Sequence, residues 1–322
     1  MVCALYRISR MLARVSSAQF IDKHKGRKDR QILAECAIII DMHRYIIILL
    51  ILSLCSVNTA AYDNSYEEAI AIQLAEGKAE DEVVWLQANG RKFISLYTNY
   101  TTEQPKGAII LLHGMGGHAD WPEVINPLRD LFAELGWATL SLQLAVFSPE
   151  KAIANYGGTL SNTKRRIEAG LTHLQEWRFT NIVVVGYSFG AASAVQALST
   201  DDIKNVNALV GISMQAHSFL SPKLKLLKKL ESIHIPVLDI YGSRDTPEVR
   251  DGVDDRRLAA RKSGNKGYRQ MQIEGADHYF TGLTEVLVKR SQGWLSRVTP
   301  SKELVSTAEE AEEAEESKVK KK

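Results

Sequence analysis

A chain of 322 residues, 45% hydrophobic and 24% charged, has the length for one large or two ordinary domains and the apolar content of a globular protein with a full core. The formal net charge is +2, yet nine Lys and Arg stand against four Asp and Glu within the first 61 residues. The remainder is therefore slightly acidic and carries no basic footprint for nucleic acid.

The N-terminus accounts for the imbalance. Arg44 precedes the apolar run Tyr45-Ile-Ile-Ile-Leu-Leu-Ile-Leu-Ser-Leu54, and small or polar residues lead out to Ala60-Ala61. A basic residue, a short apolar core and a small-residue exit read as a secretory signal peptide over 42–61. Thr59 and Ala61 occupy the small-residue positions for cleavage after Ala61, with cleavage after Ala60 as the alternative. The uncharged run from Tyr45 to Tyr62 also approaches the length of a membrane anchor. A lipid-modified Cys55 is disfavoured by the bulky Leu54 before it. Residues 1–41, with the basic stretch His24-Lys-Gly-Arg-Lys28, are unusual ahead of such a leader. They read as an over-extended reading frame or a disordered leader, with Met42 as the natural start. Cys3, Cys36 and Cys55 all precede the cleavage point, so no disulfide, thiol nucleophile or cysteine metal site is expected in the mature chain.

Beyond the leader, Glu82–Gln87 and Lys92–Tyr97 flank Asn89-Gly90 and predict a β-hairpin with a type I′ turn. Ala108–Leu112 predicts a buried strand, followed by His113-Gly-Met-Gly-Gly117. Asp120-Trp-Pro-Glu123 reads as a helix start with Asp120 as the cap, and Val124, Leu128, Leu131, Phe132 and Leu135 continue with helical spacing. Trp137–Leu142 is the next strand, and Ile167, Leu171 and Leu174 mark the next helix. Asn181–Val185 predicts a buried strand and Ala191–Leu198 a helix. The alternation continues with strands at 208–212, 236–241 and 268–273, and with helices at 223–230, 248–261 and 284–298. This order implies a mostly parallel sheet with an antiparallel edge and helices on both faces. About a dozen residues separate Gly211 from Lys223, too few for an inserted lid domain. Residues 301–322, rich in Glu and then Lys, lack apolar periodicity and read as a solvated, disordered tail; a partner-binding role is the alternative.

Between the strand at 181–185 and the helix at 191–198 lies Gly186-Tyr-Ser-Phe-Gly190. Strand, G-x-S-x-G and helix form the context of a nucleophile elbow, in which the flanking glycines let strand and helix pass closely. A serine hydroxyl needs a base to take its proton and a carboxylate to orient that base. On such a sheet the acid and then the histidine follow the serine, each at the carboxyl end of a later strand. Asp245 in Tyr241-Gly-Ser-Arg-Asp245 and His278 in Glu274-Gly-Ala-Asp-His278 meet both conditions. Asp239 lies inside a strand and Asp277 adjoins the histidine, so both are worse placed. His113 precedes the serine and reads as structural; His118 and His217 are the alternative bases. Two backbone N–H donors are required for the oxyanion: one from Phe189 and one from the glycine-rich loop, Met115, with Gly114 or Gly116 as alternatives. No phosphate-binding glycine motif is present, and the chemistry calls for no metal or organic cofactor.

The chain over about residues 80–298 resembles the α/β-hydrolase superfamily. More narrowly, Leu111-Leu-His-Gly-Met-Gly-Gly-His-Ala-Asp-Trp-Pro-Glu123 and Gly136–Leu144 resemble a bacterial family of exported α/β-hydrolases without assigned function. The resemblance implies the α/β-hydrolase fold over 62–300, a Ser188–Asp245–His278 triad and a periplasmic or cell-envelope setting, but no substrate; the minimal cap that the spacing leaves room for departs from the well-known esterases of this fold. The expectation is an exported serine hydrolase acting on a carboxylic ester or related acyl bond of a small molecule or envelope lipid. An acyltransferase would use the same triad, and a non-catalytic binding or scaffold protein is the alternative from another class. Lys223–Leu230 is either a sheet-covering helix or a contact for anionic lipid.

Overall fold

The computed structural model describes residues 64–200, 202–220 and 222–299. The expected leader segments 1–41 and 42–61, with all three cysteines, and the charged tail 301–322 lie outside the described residues.

The hairpin forms as its sequence requires. Strand β1 (Val83–Ala88) turns through Asn89 at φ 54° and Gly90 at φ 74° into β2 (Arg91–Thr98). Positive φ at both central residues defines the turn whose twist matches paired strands. The remaining strands are β3 (Gly107–Leu112), β4 (Trp137–Leu142), β5 (Ile182–Tyr187), β6 (Ala208–Ile212), β7 (Val237–Gly242) and β8 (Tyr268–Ile273). They join in the order β1-β2-β4-β3-β5-β6-β7-β8. The pairs β1–β2 and β2–β4 are antiparallel and all others parallel. Every residue of β3 through β7 is buried, which is why their sequences run continuously apolar instead of alternating.

Helices cover both faces. On one lie α3 (Leu160–Glu176), α4 (Phe189–Leu198) and α5 (Leu226–Leu230), packing Ile167, Leu171, Ala194 and Leu230 against Ile110, Leu140 and Val184. On the other, α2 (Ile125–Glu134) and α8 (Thr284–Val298) pack Leu128, Phe132, Leu287 and Trp294 against Ile109, Val183 and Leu238. An additional helix, α1 (Asn64–Glu76), precedes the hairpin. No apolar stripe announces it; its buried Glu67 is held by Arg166 of α3 at 2.7 Å.

Three boundaries differ from the sequence reading. Asp120 does not cap a helix: α2 begins at Ile125, after turns closed by Val124 N–H to Trp121 O and Asn126 N–H to the same carbonyl. The Asp120 carboxylate is instead taken by Arg129 at 2.5 Å, Lys78 at 2.8 Å and Asn126 Nδ2 at 2.9 Å. The helix expected at 223–230 shrinks to α5, and Leu224 is buried in the core ahead of it, outside the helix. The helix expected at 248–261 divides into α6 (Pro247–Arg250) and α7 (Val253–Lys262). Arg256 causes that break: its Nη1 donates to Val249 O at 2.8 Å while its Nε reaches into the sheet.

The target of Arg256 is Asp239 on β7, which is fully buried. Arg256 Nε donates to Asp239 Oδ2 at 2.7 Å, joined by Tyr268 Oη at 2.7 Å and Gln270 Nε2 at 3.0 Å. Asp239 therefore serves the fold. Removing one member of a buried ion pair leaves the other charge uncompensated and costs about 3–5 kcal/mol. Asp239→Ala is accordingly expected to lose that much stability in urea unfolding, with reactivity at Ser188 unchanged per folded molecule.

Candidate active site

Ser188 stands between β5 and α4 at φ 51° and ψ −113°. That is strained backbone for a residue with a side chain. The flanking glycines show why it holds. A Cβ at Gly186 would lie 2.6 Å from Ala191 Cα and N, and one at Gly190 would lie 2.5 Å from His113 O and closer still to Leu112 O. Helix α4 thus starts against β5 and the end of β3, which no larger residue permits. Ser188 N–H donates to Ile212 O at 2.8 Å, anchoring the turn to β6. The Ser188 hydroxyl has no hydrogen-bond partner among the described residues.

Asp245 and His278 are brought together by two loops that are closely joined. Ser243 N–H donates to Ile273 O at 2.9 Å, Arg244 N–H to Ala276 O at 2.9 Å, and Gly275 N–H to Ser243 Oγ at 2.8 Å. Gly242 allows the approach, since a Cβ there would collide with the Ala276 carbonyl. Across this junction His278 Nδ1 lies 2.6 Å from Asp245 Oδ1. Asp245 is buried and also accepts from Ser213 Oγ at 2.5 Å and Thr246 N–H at 2.8 Å. Burial acts to raise its carboxyl, but the hydrogen bonds of His278 and Ser213 outweigh it and hold the group below the usual carboxylate range. An ionised carboxylate only accepts, so His278 Nδ1 carries the proton of this hydrogen bond.

Sequence reasoning missed Ser213. It closes β6 at φ 51°, and its hydroxyl orients Asp245 while lying 3.4 Å from His278 O. A small polar residue at the carboxyl end of the strand beside β5 was the only available signal.

The loop after β3 presents Met115, whose N–H, like that of Phe189, donates to no carbonyl among the described residues. His113 shapes this loop. Its Nδ1 donates to Gly114 O at 2.7 Å, and its Nε2 accepts from Leu144 N–H at 2.9 Å with Gln143 Nε2 at 3.2 Å. Burial pushes its imidazole down to about 3, with the Gly114 carbonyl opposing and His118 and Arg166 assisting. His113 is therefore a neutral structural residue.

The remaining alternatives separate clearly. Asp277 closes its own turn by accepting from Tyr279 N–H and Thr281 N–H, both at 3.0 Å. His118 Nδ1 accepts from Asp120 N–H at 3.2 Å. His217 is buried beside Phe189, with ring centroids 5.6 Å apart. Around His278 stand Tyr187 at 5.3 Å and Tyr279 at 5.6 Å, with Trp121 6.0 Å from Tyr187. Phe147, Tyr156 and Phe189 form a further line of edge-on rings at 5.0 and 5.5 Å. Aromatic rings thus flank both His278 and Phe189.

His113 makes acid stability testable. Its folded value near 3 lies below the unfolded value of about 6.5. The unfolded chain therefore binds more protons within that window, and stability is lost as pH falls from about 6.5 toward 3. His217, held down to about 4, acts with the same sign. Urea midpoints measured between pH 7 and 4 are expected to decline, and His113→Gln to flatten the slope whatever its effect at pH 7.

No curated protein matches the sequence. Solved structures match the fold. Est1E from Butyrivibrio proteoclasticus aligns with a TM-score of 0.54 at 15% identity, covering 67% of this chain and 98% of its own. A dienelactone hydrolase from Anabaena variabilis gives 0.56 at 19%, covering 67% and 97%. An α/β serine hydrolase without lid from Xanthomonas campestris gives 0.53 at 15%, covering 68% and 95%. The sheet accordingly has the α/β-hydrolase fold. A family model described as "Protein of unknown function (DUF3530)" matches residues 51–156 and 149–297. With most of its length matched, the chain belongs to the DUF3530 family, carried on an α/β-hydrolase fold.

Proposed function

We propose that the protein is a serine hydrolase that cleaves a carboxylic ester or related acyl bond through an acyl-enzyme on Ser188. The observation that carries this reading is the 2.6 Å contact between a buried Asp245 and His278, at the carboxyl ends of β7 and β8 beside the strained Ser188 turn. In the proposed cycle, His278 Nε2 takes the Ser188 proton as Oγ bonds to the acyl carbon. The carbonyl π pair moves onto oxygen, where the N–H groups of Met115 and Phe189 hold the negative charge. The tetrahedral adduct collapses, the leaving group departs with the proton from His278, and Ser188 remains acylated. A water deprotonated by the same imidazole then releases the acid. Asp245 keeps the imidazole in its productive tautomer and stabilises the imidazolium.

The setting belongs to the proposal as well. Export through the segment 42–61, with cleavage after Ala61, would place the enzyme in the periplasm or envelope, where small acyl esters and lipids are the available substrates. An acyltransferase would follow the same first half and differ only in the acceptor. A non-catalytic binding role is favoured by one observation, the absence of a hydrogen bond from Ser188 to His278. Catalytic hydrogen bonds are often long before substrate binds, so we place this reading second.

The deciding experiment is the intact mass of the purified protein after exposure to a fluorophosphonate. One adduct is expected, absent from Ser188→Ala. Asp245→Asn is expected to lower kcat on a reactive ester by on the order of 10⁴-fold while leaving the fold intact. A folded protein that takes up no adduct would overturn the proposal in favour of the binding role.

A further inference from the structure

His217 has no part in the proposed cycle, yet it is placed at considerable cost. It lies between β6 and α5 at φ 43°, an uncommon conformation for a residue with a side chain, though histidine adopts it more readily than most. Only 5% of the residue is accessible. Neither ring nitrogen has a hydrogen-bond partner among the described residues. The backbone of Ser188 acts on the ring from nearby, short of hydrogen-bond geometry, and His278 lies within electrostatic range. Phe189 and Phe219 stand edge-on to it at 5.6 and 5.7 Å. The imidazole is therefore a polar point in an aromatic wall that continues through Phe189 to Tyr156 and Phe147.

A buried donor and acceptor left unmade are each costly to a fold. A residue that only filled this space would serve better as phenylalanine or leucine. Burial, with the nearby His278 assisting, pushes the imidazole down to about 4, so it is neutral at pH 7 and offers one N–H and one bare nitrogen. Such a pair suits a hydroxyl or a carbonyl and gives no charge to attract an anion. Position sorts the two sides of the site. A leaving oxygen must reach His278, whose ring is flanked by Tyr187 and Tyr279. His217 shares its wall with Phe189, whose N–H faces the scissile carbonyl in the proposed cycle, and this is the wall along which an acyl chain would run.

We propose that His217 is a substrate-recognition residue that hydrogen-bonds an uncharged hydroxyl or carbonyl on the acyl chain, making the enzyme selective for hydroxyacyl or oxoacyl esters over plain alkyl esters. The inference rests on the serine-hydrolase reading above and adds the substrate class to it. A site built to pair a polar substrate atom penalises the analogue that lacks it, because its own polar group is then buried unpaired.

The test compares kcat/KM of the full chain on p-nitrophenyl butyrate against the 3-hydroxybutyrate ester, and on the hexanoate against the 5-oxohexanoate ester. Wild type is expected to favour the polar member of at least one pair by tenfold or more. His217→Phe is expected to bring that ratio near one. His217→Asn, which keeps a donor and an acceptor, is expected to retain part of the preference. A structural role alone would lower both members of a pair together and leave the ratio standing, which overturns the proposal. So does a wild-type ratio at or below one in both pairs, or labelling of Ser188 by fluorophosphonate with no turnover of any of the four esters; these leave the hydrolase reading intact. No labelling and no turnover in folded protein overturns both. Should His217→Phe fail to fold, the wild-type ratios and His217→Asn decide.

Discussion

The close passage of α4 across β5 and the end of β3 is the constraint on which the site depends. Gly190 lies against the carbonyls of Leu112 and His113, and Gly186 lies against Ala191. Without side chains at these two points, the helix starts immediately after the strand and the turn is forced through Ser188 at positive φ. One hydrogen bond, Ser188 N–H to Ile212 O, then fixes the turn to the neighbouring strand. The same contact sets the distance between the Phe189 N–H and the loop that begins at His113. Steric exclusion, paid for by the apolar packing of five fully buried strands, thus places a strained serine at the mouth of the sheet.

Three aspartates near β7 and β8 show how identical chemistry is directed by surroundings. Asp239 meets a guanidinium, a phenol and an amide inside the sheet, and becomes part of the framework. Asp277 spends its oxygens on the N–H groups of its own turn. Asp245 alone meets an imidazole, because the loop carrying it is joined to the loop carrying His278 through Ser243, Arg244 and Gly275. The close approach at Gly242 sets that junction, and Ser213 completes it from β6. Three adjacent strands therefore converge on one carboxylate.

A second line of polar contacts reaches the loop after β3 from the opposite direction. Glu67 of α1 pairs with Arg166, whose Nη1 donates to Gln143 O at 2.6 Å. The Gln143 side chain holds Ala119 N–H through its carbonyl oxygen at 3.1 Å and lies 3.2 Å from His113 Nε2. His113 in turn holds Gly114 O. The backbone ahead of Met115 is thus positioned by a buried network that starts in the first described helix. Buried polar contacts of this kind favour a single arrangement where an apolar core tolerates several.

The strands, the glycine-flanked turn at Ser188 and the places of Asp245 and His278 at strand ends were legible because each depends on local pattern. Continuous β-branched runs mark strands buried on both faces, glycines mark a close passage, and residues just after a strand stand at its carboxyl end. The α1 helix, the break between α6 and α7 and the role of Asp120 were not legible. Each is decided by a partner far along the chain: Arg166 for Glu67, Asp239 for Arg256, and Lys78 with Arg129 for Asp120. Ser213 and the unpaired nitrogens of His217 belong to the same class. Sequence alone determined that a serine, an aspartate and a histidine stand at the carboxyl ends of strands, since residue type and position along the alternating elements are local features. Only the tertiary structure decided which carboxylate meets which histidine and which polar groups are left unmet, because both depend on contacts that local pattern does not encode.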